Sequence, residues 1–139
     1  MEQYNIPQGL YYTHDHAWVK VEGNTIRIGV TDFLQKLAGE ITFIRIPRVG
    51  KALAAGVTLC SIQSGKWAGK IQVPMSGKVL ESNGELPTNP KLLNSDSYDA
   101  GWVCVMEPDD LAAGLQNLIH GDDADKFFTE EHAKYSKPE

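Results

Sequence analysis

The chain has 139 residues, 42% hydrophobic and 22% charged, with a formal net charge of -5. That is enough chain to bury a core without a metal or disulfide staple. Acidic balance argues against nucleic acid, which draws on Lys/Arg clusters. No stretch approaches the ~20 apolar residues that span a bilayer. The segment Met1 to Gly9 lacks a basic region and an apolar run, so the expectation is a cytoplasmic chain with no secretory leader. Cys60 and Cys104 are too few for a disulfide scaffold, and each sits in an apolar segment, which predicts two buried thiols.

Ala17–Glu22 and Thr25–Val30 alternate apolar and polar residues around Gly23-Asn24, a hairpin pattern. Thr31 or Asp32 can cap a helix over Phe33–Ala38, with Gly39 as its stop. Strands are predicted over Ile41–Ile46, which Pro47 ends, and over Val57–Gln63, after the glycine-bounded piece Val49–Gly56. They continue over Trp67–Val73 and Lys78–Leu80. Asn83–Ala100 is rich in Asn, Gly, Pro, Ser and Asp and reads as one long surface loop, with a helical turn near Pro90–Asn94. Gly101–Met106 is the last strand. Leu111, Leu115, Leu118 and Ile119 then recur at helical spacing, and a second helix runs from about Asp122 to Lys134 with Phe127 and Phe128 as its contacts. The whole reads as a single domain over 1–139. A β core at about 11–107 precedes C-terminal helices at 108–134, in a mainly β flattened hybrid barrel or sandwich.

The most informative stretch is Ser64-Gly65-Lys66-Trp67. A lysine lies at a break between two strands, and each strand is bounded on its far side by a glycine, Gly56 before and Gly77 after. A modifying ligase must reach the ε-amine, so such a lysine belongs at a hairpin tip. Gly65 is expected to supply the positive φ of a tight turn. A lone turn lysine is ordinarily a solvated charge; the symmetric glycine frame is what sets Lys66 apart. No Ser/His/Asp or Cys/His arrangement and no phosphate loop is legible, which predicts a non-catalytic chain. His14, Asp15 and His16 invite a metal reading. The two histidines would share one face of a strand, but no third ligand stands nearby.

These residues resemble the H-protein of the glycine cleavage system and its relatives. The resemblance runs from about Tyr11 to Phe128. It is carried by Tyr12-Thr13 with His16-Ala17-Trp18-Val19, by Gly29-Val30-Thr31-Asp32-Phe33-Leu34-Gln35, and by Ile46-Pro47 with Val49-Gly50. Ser64-Gly65-Lys66, Pro74 with Ser76-Gly77, Asn89-Pro90, and Gly101-Trp102 continue it. It implies a covalent lipoate on Lys66 and a lipoate-attaching enzyme as partner. It implies a site made of Ser64, Gly65, Lys66, Trp67, Lys70 and His16. Several positions depart from the family pattern: Gln63-Ser64-Gly65-Lys66-Trp67 stands where that family usually reads Glu-Ser-Val-Lys-Ala, and two acids are gone. Ala17 stands where that family has Glu, and Lys70 where it has an acid four residues after the lysine. In the family these acids line the pocket that shelters a cationic aminomethyl load. Their loss predicts a neutral or anionic load, as in the lipoate-binding relatives that serve a heterodisulfide-reductase-like sulfur oxidation system. The alternatives are glycine cleavage enzymes as partners, with an aminomethyl load, and a structural β-domain that is never lipoylated.

Overall fold

The computed structural model describes residues 9–65 and 67–135. Nine strands and four helices lie among them. The first hairpin forms as its alternation requires: β2 (Ala17–Glu22) pairs antiparallel with β3 (Thr25–Val30), from Ala17↔Val30 to Glu22↔Thr25. The short strand β1 (Tyr11–Tyr12) pairs with β2. The helix α1 (Asp32–Ala38) is capped by Thr31, whose side chain accepts from the Leu34 N–H at 3.1 Å. Asp32 instead falls inside the helix and pairs with Lys36 at 3.2 Å.

The strands β4 (Ile41–Arg45), β5 (Ala52–Leu53), β6 (Thr58–Ser64), β7 (Ala68–Gln72), β8 (Gly77–Ser82) and β9 (Cys104–Pro108) complete two sheets. One has six strands in the order β1-β2-β3-β9-β8-β5, and the other three, β4-β6-β7. The sheets face each other as a flattened sandwich rather than a closed barrel. Ile28, Val30, Val79 and Met106 of the first and Ile44, Ile62 and Ile71 of the second share one buried cluster. A second cluster is aromatic: Tyr12, Trp18, Phe33 and Phe128. It docks the helix α4 (Asp122–Tyr135).

Three expectations need correction. The segment Asn83–Ala100 is not simply a surface loop, because Leu86 and Leu93 are fully buried in the main core. Its α2 (Leu92–Ser95) is tied down by Asn94. That side chain accepts from Ile41 N–H at 2.9 Å and donates to the Gly39 carbonyl at 2.8 Å. The helical spacing after Pro108 yields only α3 (Leu111–Leu115). Ile119 leaves the helix because its backbone exchanges two hydrogen bonds with Tyr12, at 2.7 and 2.8 Å. The last strand runs over Cys104–Pro108 rather than Gly101–Met106. Pairing with β3 and β8 sets its bounds, and hydrophobicity alone does not.

Cys60 and Cys104 are buried free thiols. Burial pushes Cys60 up to about 12, and Cys104 is also raised, by burial and then by Cys60 beside it. A thiolate is the reactive form. The native protein should therefore leave a thiol reagent such as Ellman's reagent nearly unreacted at pH 8, and both thiols should titrate in denaturant. Fast native reaction would contradict this packing.

Candidate functional site

The hairpin that carries the candidate lysine is built by β6 and β7, whose register runs from Thr58↔Gln72 to Gln63↔Ala68. Beyond that last rung the Ser64 N–H donates to the Trp67 carbonyl at 2.8 Å. The Ser64 hydroxyl donates to the same oxygen at 3.3 Å. Ser64 thus closes the connection. Gly65 is exposed and does not adopt the left-handed φ expected of it. Nothing lies within 4 Å of where its Cβ would stand. Lys66 falls outside the described residues. Of the flanking glycines, Gly56 does turn the chain, at φ 92. Gly77 is needed for another reason: a Cβ there would lie 2.4 Å from the Glu107 carbonyl oxygen, because β8 and β9 approach so closely.

Trp67 lies flat over Gly69, where an added Cβ would stand 2.4 Å from the ring. That ring forms one wall of a cleft of about 430 Å³, with Leu34 and Phe127 also apolar and Gly69, Lys70, His14, Asp15, His16 and Glu131 completing it. Three of the predicted site residues, His16, Trp67 and Lys70, are therefore brought together. Lys70 also borders a neighbouring cleft of about 430 Å³ with Asp15, Gln72 and Pro74. Ala17 lines neither cleft; its methyl is fully buried in the main core. The reading that an acid lost at position 17 empties the cleft of charge is thereby weakened.

Glu131 is the residue that sequence reading missed. Its Oε1 lies 2.9 Å from His16 Nε2, with the His16 side chain 9% exposed. The signal was present: Glu131 follows Phe127 by four and Phe128 by three, so all three share one helix face. His16 itself lies not on a strand but in the turn before β2, at φ 72. Left-handed backbone in a residue with a Cβ costs about 1–3 kcal/mol and persists where surroundings impose it. Here they do. The His16 N–H donates to Thr13, Thr31 N–H donates to the His16 carbonyl, and the ring stacks on Phe33 at 4.8 Å. Asp15 anchors the same turn to β7, accepting from the Gln72 N–H at 2.7 Å and from the Thr13 hydroxyl. Among the described residues, no group of three or more His, Cys, Asp or Glu is placed to hold a metal.

His16 Nδ1 is buried without a hydrogen-bond partner. With Nε2–H directed at Glu131, Nδ1 is the bare lone pair of a neutral ring, and a second proton would have no acceptor. Burial lowers the His16 pKa below its ordinary 6.5, and Glu131 and Asp15 only partly oppose this. The unfolded chain then binds a proton near pH 6.5 that the folded chain refuses. Stability contributed by the neutral ring is complete at higher pH and falls as pH drops through 6.5. Urea midpoints should fall from pH 7.5 to 5.5 by more in the wild type than in His16→Asn, which tolerates the same backbone without titrating. Equal falls would remove His16 as the cause.

The cleft's apolar wall suits a dithiolane ring, and its polar rim suits a polar load. A two-sheet β fold in which such a cleft adjoins Trp67, at the β6–β7 connection, has the architecture of a carrier domain of the lipoyl type.

Comparison with known proteins narrows the class. Residues 10–131 match the family described as Glycine cleavage H-protein. A glycine cleavage system H protein of Anoxybacillus flavithermus is 40% identical over 127 residues, covering 91% of this chain and 99% of that one. A probable one of Pyrococcus horikoshii is 38% identical, covering 90% and 91%. The crystal structure of a glycine cleavage system H protein from Mycobacterium marinum superposes with a TM-score of 0.78 at 26% identity, covering 91% and 98%. The chain belongs to the glycine cleavage H-protein family. Proteins of that family carry a covalently attached lipoate on a lysine.

Proposed function

We propose that Lys66 carries the lipoyl group and that the chain acts as a non-catalytic carrier of an aminomethyl group among the enzymes of glycine cleavage. The observation that carries the reading is the cleft beside Trp67, which pairs an apolar wall with the carboxylates of Asp15 and Glu131. Glu131 offers negative charge in the cleft where Ala17 offers none, and the relatives are glycine cleavage proteins by name. The lipoyl group would supply a disulfide on a long tether, while His16, Asp15 and Glu131 hold the rim in shape. The compartment proposed is the cytoplasm.

Lys70 favours a second reading, an anionic or sulfur load in a heterodisulfide-reductase-like system. It borders both clefts, and no carboxylate pairs with it among the described residues. The two readings separate in one experiment. Purified lipoylated protein is charged by glycine decarboxylase with glycine, and loading and lifetime of the aminomethyl arm are followed by intact mass. The first reading expects the wild type to load. Lys70→Asp should then lengthen the lifetime roughly two- to five-fold, the effect of about 0.5–1 kcal/mol from an exposed charge pair. A wild type that neither loads nor retains the group, with Lys70→Asp restoring both, would overturn the first reading in favour of the second. Ala17→Glu is a poor test, because a carboxylate at that buried position has no partner and costs stability.

A further inference from the structure

The three-stranded sheet has one face in the core and one in solvent. Side chains alternate along each strand, and residues paired across strands share a face. Ile44 and Ile62 pair and are buried. The next rung holds Phe43, Gln63 and Ala68, and the rung on the other side holds Arg45, Ser61 and Lys70. Both rungs point outward, and Phe43 is 50% exposed. It is the sole aromatic among the strongly exposed large hydrophobic residues described. The strands of this sheet contain Arg45 and Lys70 and no Asp or Glu, although the chain carries a net charge of -5. An exposed apolar anchor flanked on one side by two cations is the composition of a docking surface.

We propose that this outer face is where the lipoate-attaching enzyme docks, with Phe43 seated in an apolar pocket and Arg45 and Lys70 facing carboxylates on its rim. The occupant follows from position. The rung of Phe43, Gln63 and Ala68 is the last before the Ser64–Trp67 closure, so the face is continuous with the connection that holds Lys66. An enzyme that acylates the Lys66 amine must cover that connection. On a chain of net charge -5, Arg45 and Lys70 make this a cationic face, which would speed encounter with carboxylates on the enzyme's rim at low salt. This inference rests on the reading that Lys66 is the modified residue.

The test is the initial rate of lipoylation of the full chain by a lipoate–protein ligase with lipoate and ATP, read by intact mass and peptide mapping. Phe43→Ala should lower kcat/KM by about tenfold or more, as loss of an interface anchor does, without lowering the melting temperature. Arg45→Glu should lower it most at low ionic strength, with the deficit shrinking as salt rises. Val49→Ala, at an apolar position 56% exposed outside this sheet, should leave the rate unchanged. If the wild type is modified at Lys66 and Phe43→Ala and Arg45→Glu are modified equally fast, the docking face is overturned and the Lys66 reading stands. If the wild type is modified at another lysine or not at all, both fall together.

Discussion

Lys66→Arg should abolish lipoylation completely. In protein co-expressed with a lipoate ligase, the wild type gains the lipoyl mass on the peptide containing Lys66, and the variant gains none. Arginine keeps the positive charge but cannot form the amide through its guanidinium, so surface charge is preserved and the acceptor is lost. Neither exposed Gly65 nor the Ser64–Trp67 closure depends on a lysine between them, so the fold should persist, checked by circular dichroism. The chain offers other lysines, among them Lys51, Lys70 and Lys78. Lys70 lies on the same hairpin but within the paired part of β7, opposite Ser61. Its backbone is held flat in the sheet, away from the connection. Modification that survives in Lys66→Arg, or moves to Lys70, would sink the assignment.

The largest loss of stability should come from Trp18→Ala. Trp18 is 1% exposed, its Nε1 donates to the Ser97 carbonyl at 2.9 Å, and its ring fills the space above Gly29. A Cβ at Gly29 would stand 2.5 Å from that ring, so β3 is shaped to receive it. Truncation removes the largest buried side chain, leaves a cavity and orphans a buried carbonyl. Large aromatic truncations of this kind cost about 3–5 kcal/mol, which for many domains is a third or more of the total. Urea denaturation should show the midpoint falling accordingly. Lipoylation of the fraction that stays folded should continue, because Lys66 belongs to the connection in the other sheet. A loss under about 1.5 kcal/mol would mean that the site collapses around the gap and that the aromatic cluster is less rigid than its contacts imply.

Much of this protein is written locally in its sequence. The hairpin around Gly23-Asn24, the helix capped by Thr31 and the break at Ser64-Gly65-Lys66-Trp67 each depend on residues within a few positions of one another. Alternation, capping and turn chemistry act at that range, and strand and helix bounds came out within a few residues. Beyond Pro108, periodicity alone overextended α3, since a backbone pairing with Tyr12 from the far end of the chain competed for Ile119. The loop composition of 83–100 concealed Leu86 and Leu93, because scattered apolar residues among polar ones carry no period, and only packing into the main core decides which are buried. The site divides the same way. The candidate lysine and its hairpin are legible in sequence; the cleft is not. His16 meets Glu131, and Trp67 comes to share a cleft with Phe127, only after α4 docks through Phe128 onto the aromatic cluster. Ala17, compared with a charged position through the family resemblance, turns inward because the pairing of β2 with β3 decides its face. Local rules place the candidate lysine at a break between strands, and long-range packing decides which residues surround the adjoining cleft.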